Sequence, residues 1–199
     1  MLSVLASETA HAILSTLREE PQPISAIAET VETSLQNARY HVERLCEAGF
    51  VVSSNSSNAR AADDVPLVIP EVNPDHLELI DVQREERGWD GALVKNPNCS
   101  TITMVPTLAA LTQFGLERVH VSTLQAVSGA GYSGVTSMEI LDNVVPHIGG
   151  EEAKMETESR KLLGEFTGDS VSWHDATVSA SCNRVPTLDG HLENVFVET

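Results

Sequence analysis

The spacing of apolar positions changes several times along this chain. Between residues 7 and 49 they recur at helical spacing in three short runs. His11, Ile13, Leu14 and Leu17 mark a first helix, closed by Pro21 and Pro23. Ile24, Ile27, Ala28 and Val31 mark a short second one. Glu32-Thr33 predicts a turn, and Ser34 is a good N-cap for a third helix running to Gly49, a natural residue just beyond a helix end. There Leu35, Ala38, Val42 and Leu45 share one face, and burying each large side chain contributes roughly 1.5–3 kcal/mol. Gln36, Asn37, Arg39, Tyr40 and Arg44 take the opposite face.

From Phe50 the elements shorten. Phe50-Val51-Val52 predicts a strand, residues 53–58 a polar loop, and Pro66-Leu67-Val68-Ile69-Pro70 a second strand bounded by prolines. Ala92-Leu93-Val94 reads as the end of a buried strand, after which Asn96-Pro97-Asn98 forces a turn. From Ser100, the side chains Ile102, Val105, Leu108, Ala109 and Leu111 return to helical spacing. Val178, Ala180 and Cys182 then alternate with Ser179, Ser181 and Asn183, the period of a half-buried strand. Phe196-Val197-Glu198-Thr199 falls inside what reads as another strand.

A length of 199 residues suits one ordinary domain or two small ones, and 41% apolar residues suffice for a core. No apolar stretch approaches membrane-spanning length, and Met1-Leu2-Ser3-Val4-Leu5-Ala6-Ser7 lacks the basic and long apolar parts of a signal peptide. The cysteines Cys46, Cys99 and Cys182 are odd in number and form no CxxC pair. That excludes a disulfide framework or a zinc knuckle, predicts no metal site, and suits a reducing cytoplasm. Twenty-nine acidic residues stand against 12 basic ones, of which only Lys95, Lys154 and Lys161 are lysines, and the formal net charge is −17. Such self-repulsion in a folded chain is easiest to sustain where salt is high, so a halophilic cytoplasm is expected.

The strongest chemical statement is Cys99, within Lys95-Asn96-Pro97-Asn98-Cys99-Ser100-Thr101. A cysteine in the first turn of a helix faces unpaired N–H groups and the positive end of the dipole, which should lower its pKa and raise its nucleophilicity. From local context alone, a small buried cysteine at a strand–helix junction fits equally. Gly129-Ala130-Gly131-Tyr132-Ser133-Gly134 satisfies GxGxxG, but a dinucleotide fingerprint needs a strand before it, a helix after it and an acid about twenty residues on.

Helix, short helix, tight turn and polar-faced helix make a helix-turn-helix arrangement. Ser7-Glu8-Thr9 through Ser34-Leu35-Gln36-Asn37-Ala38-Arg39-Tyr40-His41-Val42 resembles winged-helix regulators of the ArsR type, in which Gln36, Asn37, Arg39 and Tyr40 would contact DNA. Residues 1–50 nevertheless hold seven acids and three bases, against the basic face that phosphate neutralisation requires, so DNA binding would be weak. No two-stranded wing follows Gly49. A plain helical cap is the alternative.

Residues 51–199 carry a second resemblance. Asp64-Val65-Pro66-Leu67-Val68-Ile69-Pro70-Glu71-Val72-Asn73-Pro74, Asn96-Pro97-Asn98-Cys99-Ser100-Thr101, Leu124-Gln125-Ala126-Val127-Ser128-Gly129-Ala130-Gly131, Gly149-Gly150-Glu151-Glu152-Ala153-Lys154 and Cys182-Asn183-Arg184-Val185-Pro186 through Gly190-His191 occur in order. Together they resemble aspartate-semialdehyde dehydrogenases of the archaeal kind. The two resemblances together imply an α+β chain with three parts. Residues 1–50 would be the helix-turn-helix unit, and residues 51–98 the remnant of a parallel Rossmann-type dinucleotide-binding sheet. Residues 99–199 would be an incomplete catalytic and dimerisation domain like that of glyceraldehyde-3-phosphate dehydrogenase. The join near Glu47-Ala48-Gly49-Phe50-Val51 reads as a gene fusion or as a sequence-assembly crossover.

The family interconverts aspartate semialdehyde and aspartyl phosphate with NADP and phosphate. The resemblance implies Cys99 as nucleophile and His191 as acid/base, which would remove the thiol or hydroxyl proton. Arg184, Gln125 and Glu151 would hold the substrate carboxylate, orient it and bind its amine. Lys154 and Arg60 would bind phosphate, and Asn55, Ser128 and Gly129 the cofactor. Ser133 stands where the family usually has proline. A homodimer through the catalytic domain is expected. No glycine-rich strand–helix turn occurs in residues 1–98, so NADP affinity and turnover should be impaired. The alternatives are a DNA-binding regulator carrying an inert enzyme remnant, or a non-functional rearrangement product.

Overall fold

A computed structural model describes Ala12, residues 35–131 and residues 134–199. The first two predicted helices, the Ser34 cap, the side chains of Leu35, Ala38 and Arg39, and Tyr132-Ser133 lie outside the described residues. The chain divides into two compact units. One comprises residues up to Val68 with Asp75–Asn96 and Phe166–Ser170, and the other Ile69–Pro74, Pro97–Glu165 and Val171–Thr199.

In the first unit α1 (Leu35–Glu47) ends as its sequence predicts, with Gly49 at φ +94°. Its inward side carries Leu45 and Cys46, and Cys46 packs with Val65, Trp89 and Leu93, joined by Val42 and Val52. Gln36 and Tyr40 are exposed and Asn37 is half-buried. Strand β1 (Val51–Ser54) pairs in parallel with β2 (Ala92–Lys95), Val51 opposite Ala92. Residues 67–69, expected as a strand, make a single parallel bridge from Leu67 to Lys95. Proline has no N–H to donate, so Pro66 and Pro70 stop the ladder on either side of it.

Helix α2 (Leu79–Arg87) is tied to β2 by a buried amide. Gln83 donates to the carbonyls of Asp64 (3.0 Å) and Leu93 (3.2 Å) and accepts from the Leu93 N–H at 2.7 Å. Lys95 is buried too, its Nζ donating to Ser54 Oγ (3.2 Å) and Ser56 Oγ (2.9 Å).

The second unit starts with α3 (Cys99–Leu111), followed by β3 (Arg118–Gln125), the short α4 (Ser137–Ile140) and α5 (Glu151–Leu162). Two-residue strands β4 (Glu165–Phe166) and β5 (Val171–Ser172) come next, then β6 (Thr177–Arg184) and β7 (Leu192–Glu198). The main sheet runs β6-β3-β7, with β3 parallel to β6 and antiparallel to β7. Met104 and Leu108 of α3 and Met155 of α5 pack onto Val119, Val121, Val178 and Cys182. Cys182 is thus a packed thiol, as its place on an alternating strand suggests.

Acidic Glu151 and Glu152 open α5 while Arg160 and Lys161 close it, matching the helix dipole. Ile102, expected inside, is 41% exposed. The inward stripe of α3 is Thr101, Met104, Val105 and Leu108, which satisfies i, i+3, i+4, i+7 and leaves Ile102 to one side.

Replacing Gln83 by leucine keeps its volume but removes three buried hydrogen bonds. This is expected to cost about 2–3 kcal/mol in urea unfolding followed by the fluorescence of Trp89 and Trp173.

Candidate active site

Strand register assembles one end of this site. In β3 and β6, Gln125 lies opposite Arg184, both buried at the carboxyl ends of parallel strands, where α/β sheets place ligands. In β7, Leu192 lies opposite Leu124, which brings the preceding His191 to the same end.

Cys99 reaches it as the first residue of α3. Asn98 caps that helix, its Oδ1 accepting from the N–H groups of Ser100 (3.0 Å) and Thr101 (3.4 Å). Helix α5 holds the cap from outside: Asn98 Nδ2 donates to Glu151 Oε2 and the Asn98 N–H donates to Glu158 Oε2, each at 2.6 Å.

The three expected groups meet. Cys99 Sγ is 3.4 Å from His191 Nε2. His191 Nδ1 accepts from the Ala126 N–H at 3.2 Å, and Arg184 Nη1 donates to the Ala126 carbonyl at 2.7 Å. Gly129, in the turn Val127–Ala130, lies beneath both: a Cβ there would stand 2.9 Å from Arg184 Nη1 and from His191 Cε1. Gln125 Nε2 is buried with no hydrogen-bond partner among the described residues, an open donor at the strand end.

One reading changes. Dipole and N–H groups alone predict a depressed thiol pKa, yet Cys99 is held above the ordinary thiol range. Desolvation is the larger cause and the charge of Glu151 the second, outweighing the backbone N–H groups of Ser100 and Cys99. Glu151 and Lys154, expected to take the substrate amine and phosphate, are paired with each other at 2.6 Å, while the second oxygen of Glu151 serves Asn98. Asn55 and Arg60 belong to the first unit, where the Arg60 guanidinium donates to the Asn55 carbonyl.

Asn98, Glu158, Ala126 and Glu193 escaped the sequence reading of the site. Asn98 could have been found as an N-cap one residue before the helical pattern; Ala126 acts only through its main chain and leaves no side-chain signal. Glu193 is half-buried against α3, and desolvation, only partly opposed by Ser100, raises its carboxyl to about 7. Among the described residues no group of three or more His, Cys, Asp or Glu side chains is placed to hold a metal ion. No described helix is long and apolar enough to cross a membrane.

Comparison with known proteins gives three family matches. Residues 108–199 match the semialdehyde dehydrogenase dimerisation domain, residues 31–80 the semialdehyde dehydrogenase NAD-binding domain, and residues 5–53 a helix-turn-helix domain. Aspartate-semialdehyde dehydrogenase of Archaeoglobus fulgidus is 58% identical over 161 residues, 81% of this chain and 47% of that protein. Its counterpart in Methanothermobacter thermautotrophicus is 59% identical over 150 residues, 75% of this chain and 43% of that protein. The chain spans about half the length of the relatives it matches.

Among solved structures, aspartate-semialdehyde dehydrogenase with NADP from Candida albicans superposes with a TM-score of 0.71 at 38% identity, covering 82% of this chain and 48% of that one. Aspartate-semialdehyde dehydrogenase II complexed with ASA from Vibrio cholerae gives 0.67 at 31% identity, covering 82% and 52%.

Gly129→Ala would meet only the ends of two flexible side chains, so stability should change by no more than ~1 kcal/mol. The displaced His191 should slow Cys99 alkylation by iodoacetamide at pH 7 by roughly 3- to 10-fold, and an unchanged rate would refute the contact. Glu193 keeps its proton in the folded state up to about 7, against 4.5 in the unfolded chain. The stability this contributes is complete below pH 4.5 and is lost as pH rises through 7. Glu193→Gln should therefore flatten the decline in melting temperature across that window, which thermal scans at closely spaced pH values will read.

Proposed function

We propose a function for this chain from the family to which most of its length belongs, the aspartate-semialdehyde dehydrogenases. The chain carries the substrate side of that enzyme's site. Its reaction class is the interconversion of aspartate semialdehyde and aspartyl phosphate through a cysteine thioester, with turnover impaired. The observation that supports this reading is the contact of Cys99 Sγ with His191 Nε2 beside Arg184.

Cys99 is the nucleophile toward the aldehyde carbon, and His191 is the hydrogen-bonding partner at its sulfur. Arg184 keeps its remaining guanidinium donors for the substrate carboxylate, a bidentate match that lysine does not reproduce. Gln125 Nε2, buried and unpartnered among the described residues, suits an acceptor atom on the substrate. A substrate amine at Glu151 and a phosphate at Lys154 would each have to replace part of the ion pair those two residues make.

A nicotinamide dinucleotide would supply the hydride acceptor, NADP being the form this reading favours. None of the three glycines of residues 1–98 fits its phosphates. Gly49 follows the end of α1, and Gly88 at φ +64° closes α2. Gly91 is pressed against main chain, where a Cβ would meet the Phe50 carbonyl at 2.2 Å. None is left to form a phosphate-cradling turn between strand and helix. Gly129 is already occupied by Arg184 and His191.

The dimerisation-domain match supports pairing of two copies of the chain, and the face proposed for it is the outer one of the β6-β3-β7 sheet, where Leu124, Leu192 and Phe196 are exposed. The rival reading, a DNA-binding regulator, rests on the match at residues 5–53 and is disfavoured by the net negative charge of residues 1–50.

Aspartate semialdehyde is expected to protect Cys99 from iodoacetamide saturably, as read by mass spectrometry, and Arg184→Lys to weaken that protection about tenfold. NADPH formation should run roughly a hundredfold or more below that of a full-length relative. Absence of protection would sink the substrate assignment; a normal rate of reduction would sink the impairment.

A further inference from the structure

Ala126 is fully buried at the end of β3, and its two main-chain polar groups serve the two side chains that face substrate. Its carbonyl accepts from Arg184 Nη1 and its N–H donates to His191 Nδ1. A neutral imidazole carries one proton, and a ring nitrogen that accepts a hydrogen bond cannot hold it. We propose that the Ala126 N–H locks His191 as the tautomer protonated on Nε2, so that in the free protein His191 donates a hydrogen bond to Cys99 Sγ and is not the base that ionises it.

This rests on the assignment of Cys99 as nucleophile and deepens it. For Nε2 to take the thiol proton, the neutral ring would have to carry its own proton on Nδ1. That proton would point at the Ala126 N–H across 3.2 Å, donor against donor. The S–H proton of Cys99, an exposed residue, therefore leaves to water, and Nε2–H then steadies the sulfur's negative charge. Such a donor works against the two influences that hold the thiol up, desolvation and the Glu151 carboxylate. Gly129 completes the arrangement, because any side chain there would push the ring off both Ala126 and the sulfur.

The test uses the full chain with 15N-labelled histidine rings at pH 7.5, His191 being assigned by its disappearance in His191→Asn. The lock predicts a protonated-type Nε2 resonance and an acceptor-type Nδ1 resonance. A proton on Nδ1, protons on both nitrogens, or a resonance averaged between tautomers would overturn it. Alkylation gives a second reading. Losing a donor slows Cys99 by roughly 3- to 10-fold in His191→Ala, whereas losing its base slows it 100-fold or more. A loss of that larger size would also overturn the proposal. Neither measurement involves aspartate semialdehyde, so failure of the aldehyde to protect Cys99 would refute the substrate assignment without altering the tautomer result.

Discussion

The start of helix α3 is the constraint on which the site depends. A helix that begins one residue later would carry the sulfur about 100° around its axis and away from His191. Asn98 prevents this by capping two N–H groups while two carboxylates of α5, Glu151 and Glu158, grip its amide and its own N–H. The cap is therefore fixed by residues more than fifty positions away. The sheet supplies the rest, since the parallel register of β3 with β6 and the antiparallel register of β3 with β7 deliver Gln125, Arg184 and His191 to one end.

That clamp has an electrostatic consequence. Glu151 stabilises the positive end of α3 and, by the same charge, disfavours the thiolate form of Cys99. Lys154, paired with Glu151, partly offsets that charge. The site combines tight placement of the sulfur with restrained ionisation, which leaves the local hydrogen-bond donors at Cys99 the task of favouring the charged form.

What the sequence made legible follows from how local each signal is. The end of α1 at Gly49, the helix starting at Cys99 and the strand over residues 177–184 are set by capping and by period-two alternation within a few residues. The resemblance in residues 51–199 carried Cys99, Arg184 and His191, which no spacing rule would have united. Other outcomes needed the tertiary structure. The strand expected at residues 67–69 shrank to one bridge because its flanking prolines limit pairing, and Ile102 turned outward because a better-matched stripe was buried. The thiol's direction was misread because its largest cause is desolvation, produced by segments distant in sequence. Ala126 was invisible because it contributes only main-chain atoms.

The lysine inventory has a practical side. Lys95 and Lys161 are buried, and Lys154, a third exposed at its side chain, sits in the candidate site against Glu151. Succinimidyl esters, aldehyde-coated beads and glutaraldehyde, which ordinarily decorate a protein's periphery at random, would find in the described residues one reachable lysine amine, in the candidate site. Tethering through lysine would therefore fall on this side chain and break its pairing with Glu151.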